Sequence, residues 1–146
     1  MRIVTRYTVR LLGLLAVAWI TNFDISVAAA TPEPTLRFEQ VVTYKSGEPI
    51  ALDARVGTVR ISSITFKPGT PLRAVFAGEN VGPDDWIVRF TVDLIDEAGK
   101  TIQSRAKTWE YNVKADDVPI LFSFIRKDVL PQIKQARIRI LAELDE

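Results

Sequence analysis

WIVRFTVDLID, Trp86–Asp96, decides how this chain folds. Trp86, Val88, Phe90, Val92 and Leu94 fall at every second position, with Ile87, Arg89, Thr91, Asp93 and Ile95 between them. Successive side chains of a strand point to opposite faces, whereas a helix repeats about every 3.6 residues. The alternation therefore predicts a strand with one apolar face and one mostly polar face, as in an antiparallel sheet covered on one side. Trp86 falls on the core side.

The neighbouring segments repeat the pattern. DEAGK, Asp96–Lys100, reads as a hairpin loop with Gly99 available for positive φ. KTIQSRAKTWEYNV reads as a long polar strand, or a pair broken near Ala106. VPILFSFI, Val118–Ile125, is apolar on both sides and reads as a central strand. ARIRILAEL turns Ile138 and Ile140 inward and Arg137 and Arg139 outward. Before the opening stretch, PLRAVFAGEN places Leu72, Ala74 and Phe76 on one side. In VGTVRISSITF, Val56–Phe66, the apolar phase runs Val59, Ile61 and then shifts to Ile64, Phe66. A strict period of two breaks only through an extra residue, so a bulge is predicted near Ser62–Ser63. KPGTP and SGEPI read as turns. LRFEQVVTYK alternates, with Leu36, Phe38, Gln40, Val42 and Tyr44 sharing a face. Helical spacing occurs only at Val129, Leu130 and Ile133, where Pro131 limits it to a turn or two.

These segments predict an all-β fold. It is an immunoglobulin-like antiparallel β-sandwich of about seven strands with one short helical turn. No segment is a full amphipathic helix, which disfavours a βαβ fold.

The N-terminus reads differently. Arg2, Arg6 and Arg10 precede the apolar run Leu11–Ile20, and Ala28-Ala29-Ala30 follows. A basic region, a short apolar region and an A-x-A site are the parts of a secretory signal peptide. Residues 1–30 are expected to be removed, with 31–35 a short lead and 36–146 the sandwich domain. A spanning helix needs about 20 predominantly apolar residues, and Asn22 and Asp24 interrupt this one. The expected location is outside the cytoplasm, periplasmic or extracellular, with no membrane insertion after cleavage. Setting aside the three arginines and one acid of residues 1–30 leaves 16 basic and 17 acidic residues. A nearly neutral domain has no overall electrostatic attraction to nucleic acid.

Composition excludes several chemistries. The chain has no histidine and no cysteine. It therefore lacks the usual general base near neutral pH, any thiol nucleophile, and imidazole or thiolate ligands for zinc or copper. No serine lies in a G-x-S-x-G elbow. The acid pairs Asp84-Asp85, Asp96-Glu97 and Asp116-Asp117 could in principle hydrolyse glycosides, but they fall in predicted turns, where acids serve as solvated acceptors. The chain reads as a non-enzyme.

Ala74–Ile102 resembles the core of the FxLYD-type domains of bacterial exported proteins. The matching positions are Gly78, Asn80, Leu94, Asp96, Gly99 and Lys100, with Ile95 where that family has Tyr. The resemblance implies an immunoglobulin-like sandwich on the outer side of the membrane and carries over no catalytic residue.

Three places could bind. GENVGPDDW, Gly78–Trp86, holds Glu79, Asn80, Asp84 and Asp85, four side-chain oxygen donors that could suit calcium, a hard cation that the composition does not exclude; no other cofactor is expected. The competing reading is a strand connection bent by Gly82 and Pro83, with Asp84 bonding local backbone. Trp109 and Tyr111 share a face with Arg105 and Lys107; they would form a sugar or peptide platform if that face is exposed, or ordinary core if it packs on a neighbouring sheet. Arg89, Arg137 and Arg139 point outward and would grip carboxylates if their strands are neighbours, or form ordinary cross-strand ion pairs. The function these features predict is an exported binding or accessory domain of the bacterial cell envelope whose partner is another envelope protein. A glycan or calcium binder is the alternative.

Overall fold

The computed structural model describes residues 36–112, 114–123 and 125–146. The expected signal peptide and lead, 1–35, lie outside them. Eight strands form among the described residues: β1 (Arg37–Thr43), β2 (Pro49–Val56), β3 (Val59–Lys67), β4 (Leu72–Asn80), β5 (Trp86–Ile95), β6 (Thr101–Tyr111), β7 (Ala115–Phe122) and β8 (Gln135–Leu144). A single 3-10 turn, Leu130–Gln132, precedes β8 with Pro131 inside it. The strands make two antiparallel four-stranded sheets, in the orders β1-β8-β5-β6 and β2-β3-β4-β7.

The alternation at Trp86–Asp96 builds the centre of the first sheet. Trp86, Val88, Phe90, Val92 and Leu94 are buried against the second sheet. Phe90 of β5 meets Phe76 of β4 at 4.5 Å between ring centroids, which joins the two layers. Ile138 and Ile140 of β8 and Ile61, Ile64 and Phe66 of β3 complete this core, all fully buried. Phe38 and Val42 face the same way as Ile140 and Ala136, their partners on β8.

The bulge falls where the phase shift placed it. Ile61 pairs with Gly78 and Ser63 with Ala77, so Ser62 is the extra residue of β3. Across β2, Leu52 and Asp53 together oppose that same Ser62, because Ala51 pairs with Ser63 and Ala54 with Ile61. The two irregularities lie side by side, and Asp53 takes a left-handed φ of 46° to make its half.

Two readings need correction. The segment Val56–Phe66 is not one strand. Val56 ends β2, and Gly57-Thr58 turns the chain into β3. Gly57 has φ 59°, which suits the mirror-type turns of tight hairpins. This hairpin adds the eighth strand, β2, whose buried row Leu52, Ala54 and Val56 was masked by short side chains and an interposed Asp. Of the two readings of the polar run, the unbroken one holds: Thr101–Tyr111 is one strand. VPILFSFI is not central either. β7 is an edge strand, and Pro119 sits in it because a residue without an N–H is tolerated only where no ladder bond is needed. The Gly99 turn is as expected, with φ 81° and its N–H bonded to Asp96 O at 3.1 Å.

Candidate functional site

The connection between β4 and β5 is organised by Asn80, which is 5% exposed. Its Oδ1 accepts from Thr58 Oγ1 at 2.7 Å and from Gly82 N at 3.1 Å. Its Nδ2 donates to Asp84 O at 2.7 Å and to Tyr111 O at 3.1 Å. One amide thus joins the β2–β3 turn, its own loop and the end of β6 in the opposite sheet. A side-chain amide has two acceptor sites and two donors, and all four are used. Asn80 therefore has no lone pair left for a cation. Glu79, Asp84 and Asp85 are exposed, and no group of three acids among the described residues is placed to hold a metal ion. The loop is a strand connection, and Asn80 rather than Asp84 bonds its backbone.

Trp109 and Tyr111 do lie on one face of β6 with Arg105 and Lys107, but that face turns inward. The register pairs Lys107 with Phe90, Trp109 with Val88 and Tyr111 with Trp86. Tyr111 is fully buried and offers no ring to a ligand. Trp109 is half-buried, with Lys107 Nζ 4.9 Å from its ring centroid and its Nε1 donating to Asp116 Oδ2 at 3.4 Å. The charged inner face of β6 instead closes the side of the sandwich. Lys107 Nζ donates to Pro119 O at 2.9 Å and Gln103 Nε2 to Ser123 O at 3.0 Å. Tyr111 Oη donates to Asp116 O at 3.4 Å.

Burial pushes the Tyr111 phenol well above its ordinary pKa of 10.0, and the charges of Asp116 and Asp117 add to the shift. A raised pKa favours the protonated form in the fold. That stability is complete below pH 10 and is lost as pH climbs beyond it. Tyr111→Phe is therefore expected to flatten the fall of stability between about pH 10 and 12 relative to the parent protein. Urea denaturation across that range reads it, and parallel curves would contradict it.

The arginine row lies on the outer face of the first sheet, and β8 does pair beside β5. Asp93, opposite Arg137 in the register, is nevertheless buried. Arg139 grips both its oxygens, at 2.9 and 3.2 Å, while Ser104 Oγ donates to it at 2.5 Å. Arg137 reaches Asp93 and Glu39 at 3.9 Å. Two of the three arginines thus serve cross-strand pairs, and Arg89 has no carboxylate within 4.0 Å among the described residues.

The outer face of the second sheet has a shallow groove of about 510 Å³ beside the paired bulges. Arg55 and Arg60 stand opposite each other there, with Asp53, Glu79 and Asp117 around them. Its charges are of both signs, so it selects no single class of ligand by charge.

The sandwich has four sheet edges, and three are blunted. Exposed ladders invite strand pairing, and natural edges carry proline, bulges or inward charges against it. β2 begins at Pro49 and breaks its ladder at Asp53. β7 carries Pro119, whose carbonyl is taken by Lys107. β6 points Arg105 and Lys107 inward. β1 has none of these devices. It pairs with β8 through seven consecutive positions without a shift, and contains no proline, lysine, glycine or left-handed residue. Ala142 N bonds to Leu36 O and Tyr44 N to Lys134 O, both at 2.9 Å. That sets the phase of the ladder. Phe38, Gln40 and Val42 turn their backbone groups to β8, whereas Arg37, Glu39, Val41 and Thr43 turn theirs to the open edge. Leu36 and Val41 expose apolar surface beside it. The sequence reading did not single out this edge. Its signal was an alternating run free of proline, lysine and glycine, but which strand lies at an edge follows only from sheet order.

No family model and no curated protein matches the chain. Among solved structures it is similar to a DUF1425 family member from Shewanella sp. pv-4, at 16% identity and a TM-score of 0.39, over 73% of this chain and 95% of that one. It is also similar to the enzymatically active domain of tailspike protein 4 of bacteriophage CBA120, at 9% identity and a TM-score of 0.28. That match covers 75% of this chain and 19% of the tailspike chain. Likenesses at this level assign no function, and the architecture rests on the two sheets themselves.

Proposed function

We propose that the protein is a non-enzymatic, exported binding domain of the bacterial cell envelope, which takes an extended strand of a protein partner along β1. The observation that carries this reading is the single unblunted edge among the four that the described residues form. Strand addition draws affinity from main-chain hydrogen bonds and specificity from alternate side chains. Arg37, Glu39, Val41 and Thr43 supply the backbone groups. The signal-peptide pattern at residues 1–30 supports a location outside the cytoplasm, and the resemblance of Ala74–Ile102 to FxLYD-type domains supports the same compartment.

The test is site-specific photo-cross-linking in cells, with benzoylphenylalanine at Val41 in one full-length protein and at Asp84 in another. Adducts from position 41 are expected, with little from position 84. Adducts from position 84 alone would overturn the assignment to β1 and return the loop to consideration.

A further inference from the structure

We propose that the strand taken by β1 is β1 of a second copy, paired antiparallel about a two-fold axis through Phe38. This rests on the preceding reading that β1 is the docking edge, and it names the partner. The phase of the ladder limits how two β1 strands can meet. Only Arg37, Glu39, Val41 and Thr43 present N–H and C=O groups to the open edge, so hydrogen-bonded pairs must join these positions. Their side chains all lie on the outer face of the first sheet, beside Arg137 and Arg139 of β8.

Charge then separates the registers. A two-fold axis at Arg37 or at Glu39 sets like charges directly opposite, which is destabilising. An axis at Gln40 places Glu39 against Val41, and an axis at Val41 places Glu39 against Thr43; both leave Arg37 and Glu39 without an opposite charge across the seam. The axis at Phe38 places Arg37 opposite Glu39 of the second copy, and the symmetry makes the same pair again. Within one chain these two groups are poorly used. Glu39 lies 4.0 Å from Arg37 and 3.9 Å from Arg137, and both Arg37 and Glu39 are largely exposed. On the core-facing side the same axis brings Phe38 against Phe38 of the second copy, in the closer, non-hydrogen-bonded type of pair. Phe38 is only partly buried in one chain. The contact is isologous, so it closes at a dimer. It joins two four-stranded sheets into one continuous sheet across the seam.

The short seam belongs to the small, transient class of interfaces, so association is measured by sedimentation velocity from about 10 to about 500 µM protein. The sample is the protein recovered after expression of the full chain. The mass is expected to rise from monomer to dimer across this range. Glu39→Arg is expected to abolish the rise, and Arg37→Glu combined with Glu39→Arg to restore it. Because the chain has no cysteine, an introduced one can pair only between copies. Phe38→Cys is expected to oxidise mostly to a disulfide dimer, whereas Gln40→Cys, opposite Leu36 in this register, is expected to stay largely monomeric. A monomer at every concentration, or a charge swap that fails to restore the dimer, would overturn the proposal. Equal oxidation of the two cysteine variants would do the same. Cross-links from position 41 to a different protein, with the chain monomeric, would leave β1 as the docking edge and remove the second copy. Absence of any adduct from position 41 would remove both.

Discussion

Replacing Asn80 with alanine is expected to destabilise the protein by about 3 kcal/mol. The change removes more than one hydrogen bond. Tyr111 O and Asp84 O lose their donor, while Thr58 Oγ1 and Gly82 N lose their acceptor. The methyl group can satisfy none of them. A buried polar group left without a partner carries its full desolvation cost, which exceeds the net worth of a typical bond. Asn80→Asp separates the two halves of the amide. It retains the acceptor side but sets a carboxylate oxygen against the two carbonyls, so it should also be destabilising. Urea denaturation at neutral pH measures both. A loss below about 1 kcal/mol for Asn80→Ala would mean that solvent replaces the amide and that the loop is not held by it.

The second large effect is expected at Gly57. Its φ of 59° is left-handed, and the space a Cβ would take is occupied by the six-membered ring of Trp86. Gly57→Ala therefore meets two separate penalties. The left-handed conformation costs an L-residue about 1–2 kcal/mol. Displacing a core tryptophan adds an overpacking cost of about 1–3 kcal/mol. A double-mutant cycle distinguishes them. Trp86→Leu in the Gly57→Ala background should recover the packing part and leave the backbone part, giving a coupling of about 1–2 kcal/mol. Additive losses would show that the ring moves aside freely and that only the backbone matters.

The sequence was most informative where one face of a strand is buried and the other is not. In β5 the alternation predicted the buried row, the core position of Trp86 and the outward Arg89. It also located the β3 bulge, since a phase shift has no other simple cause. It failed where short side chains weaken the contrast between faces, as at Ala51 and Ala54 of β2. It also failed where sheet order, rather than local pattern, decides an outcome. VPILFSF looks central from its apolar content, yet lies at an edge. TWEY reads equally as an exposed platform or as core, and sheet order decides between them: it faces inward, because β6 spends its polar inner face on the backbone of β7. The acids of Gly78–Trp86 drew attention to charge, whereas the residue holding that loop is a buried amide whose partners are far away in sequence. Which edge is left open is a property of all four edges together and cannot be read from β1 alone.

The place of β8 has a consequence for the order in which the molecule can form. β8 lies between β1 and β5, so Arg37 near the start of the domain pairs with Leu141 near its end. Contacts between segments so far apart pay their loop-closure entropy before any contact rewards it, and such topologies fold slowly. Until β8 has been synthesised, β1 has no neighbour in its sheet and β5 has only β6. The β2–β3–β4 meander can assemble earlier, but half of the core has no opposing layer. A nascent chain of this topology stays unlocked, and so threadable, until β8 emerges from the ribosome.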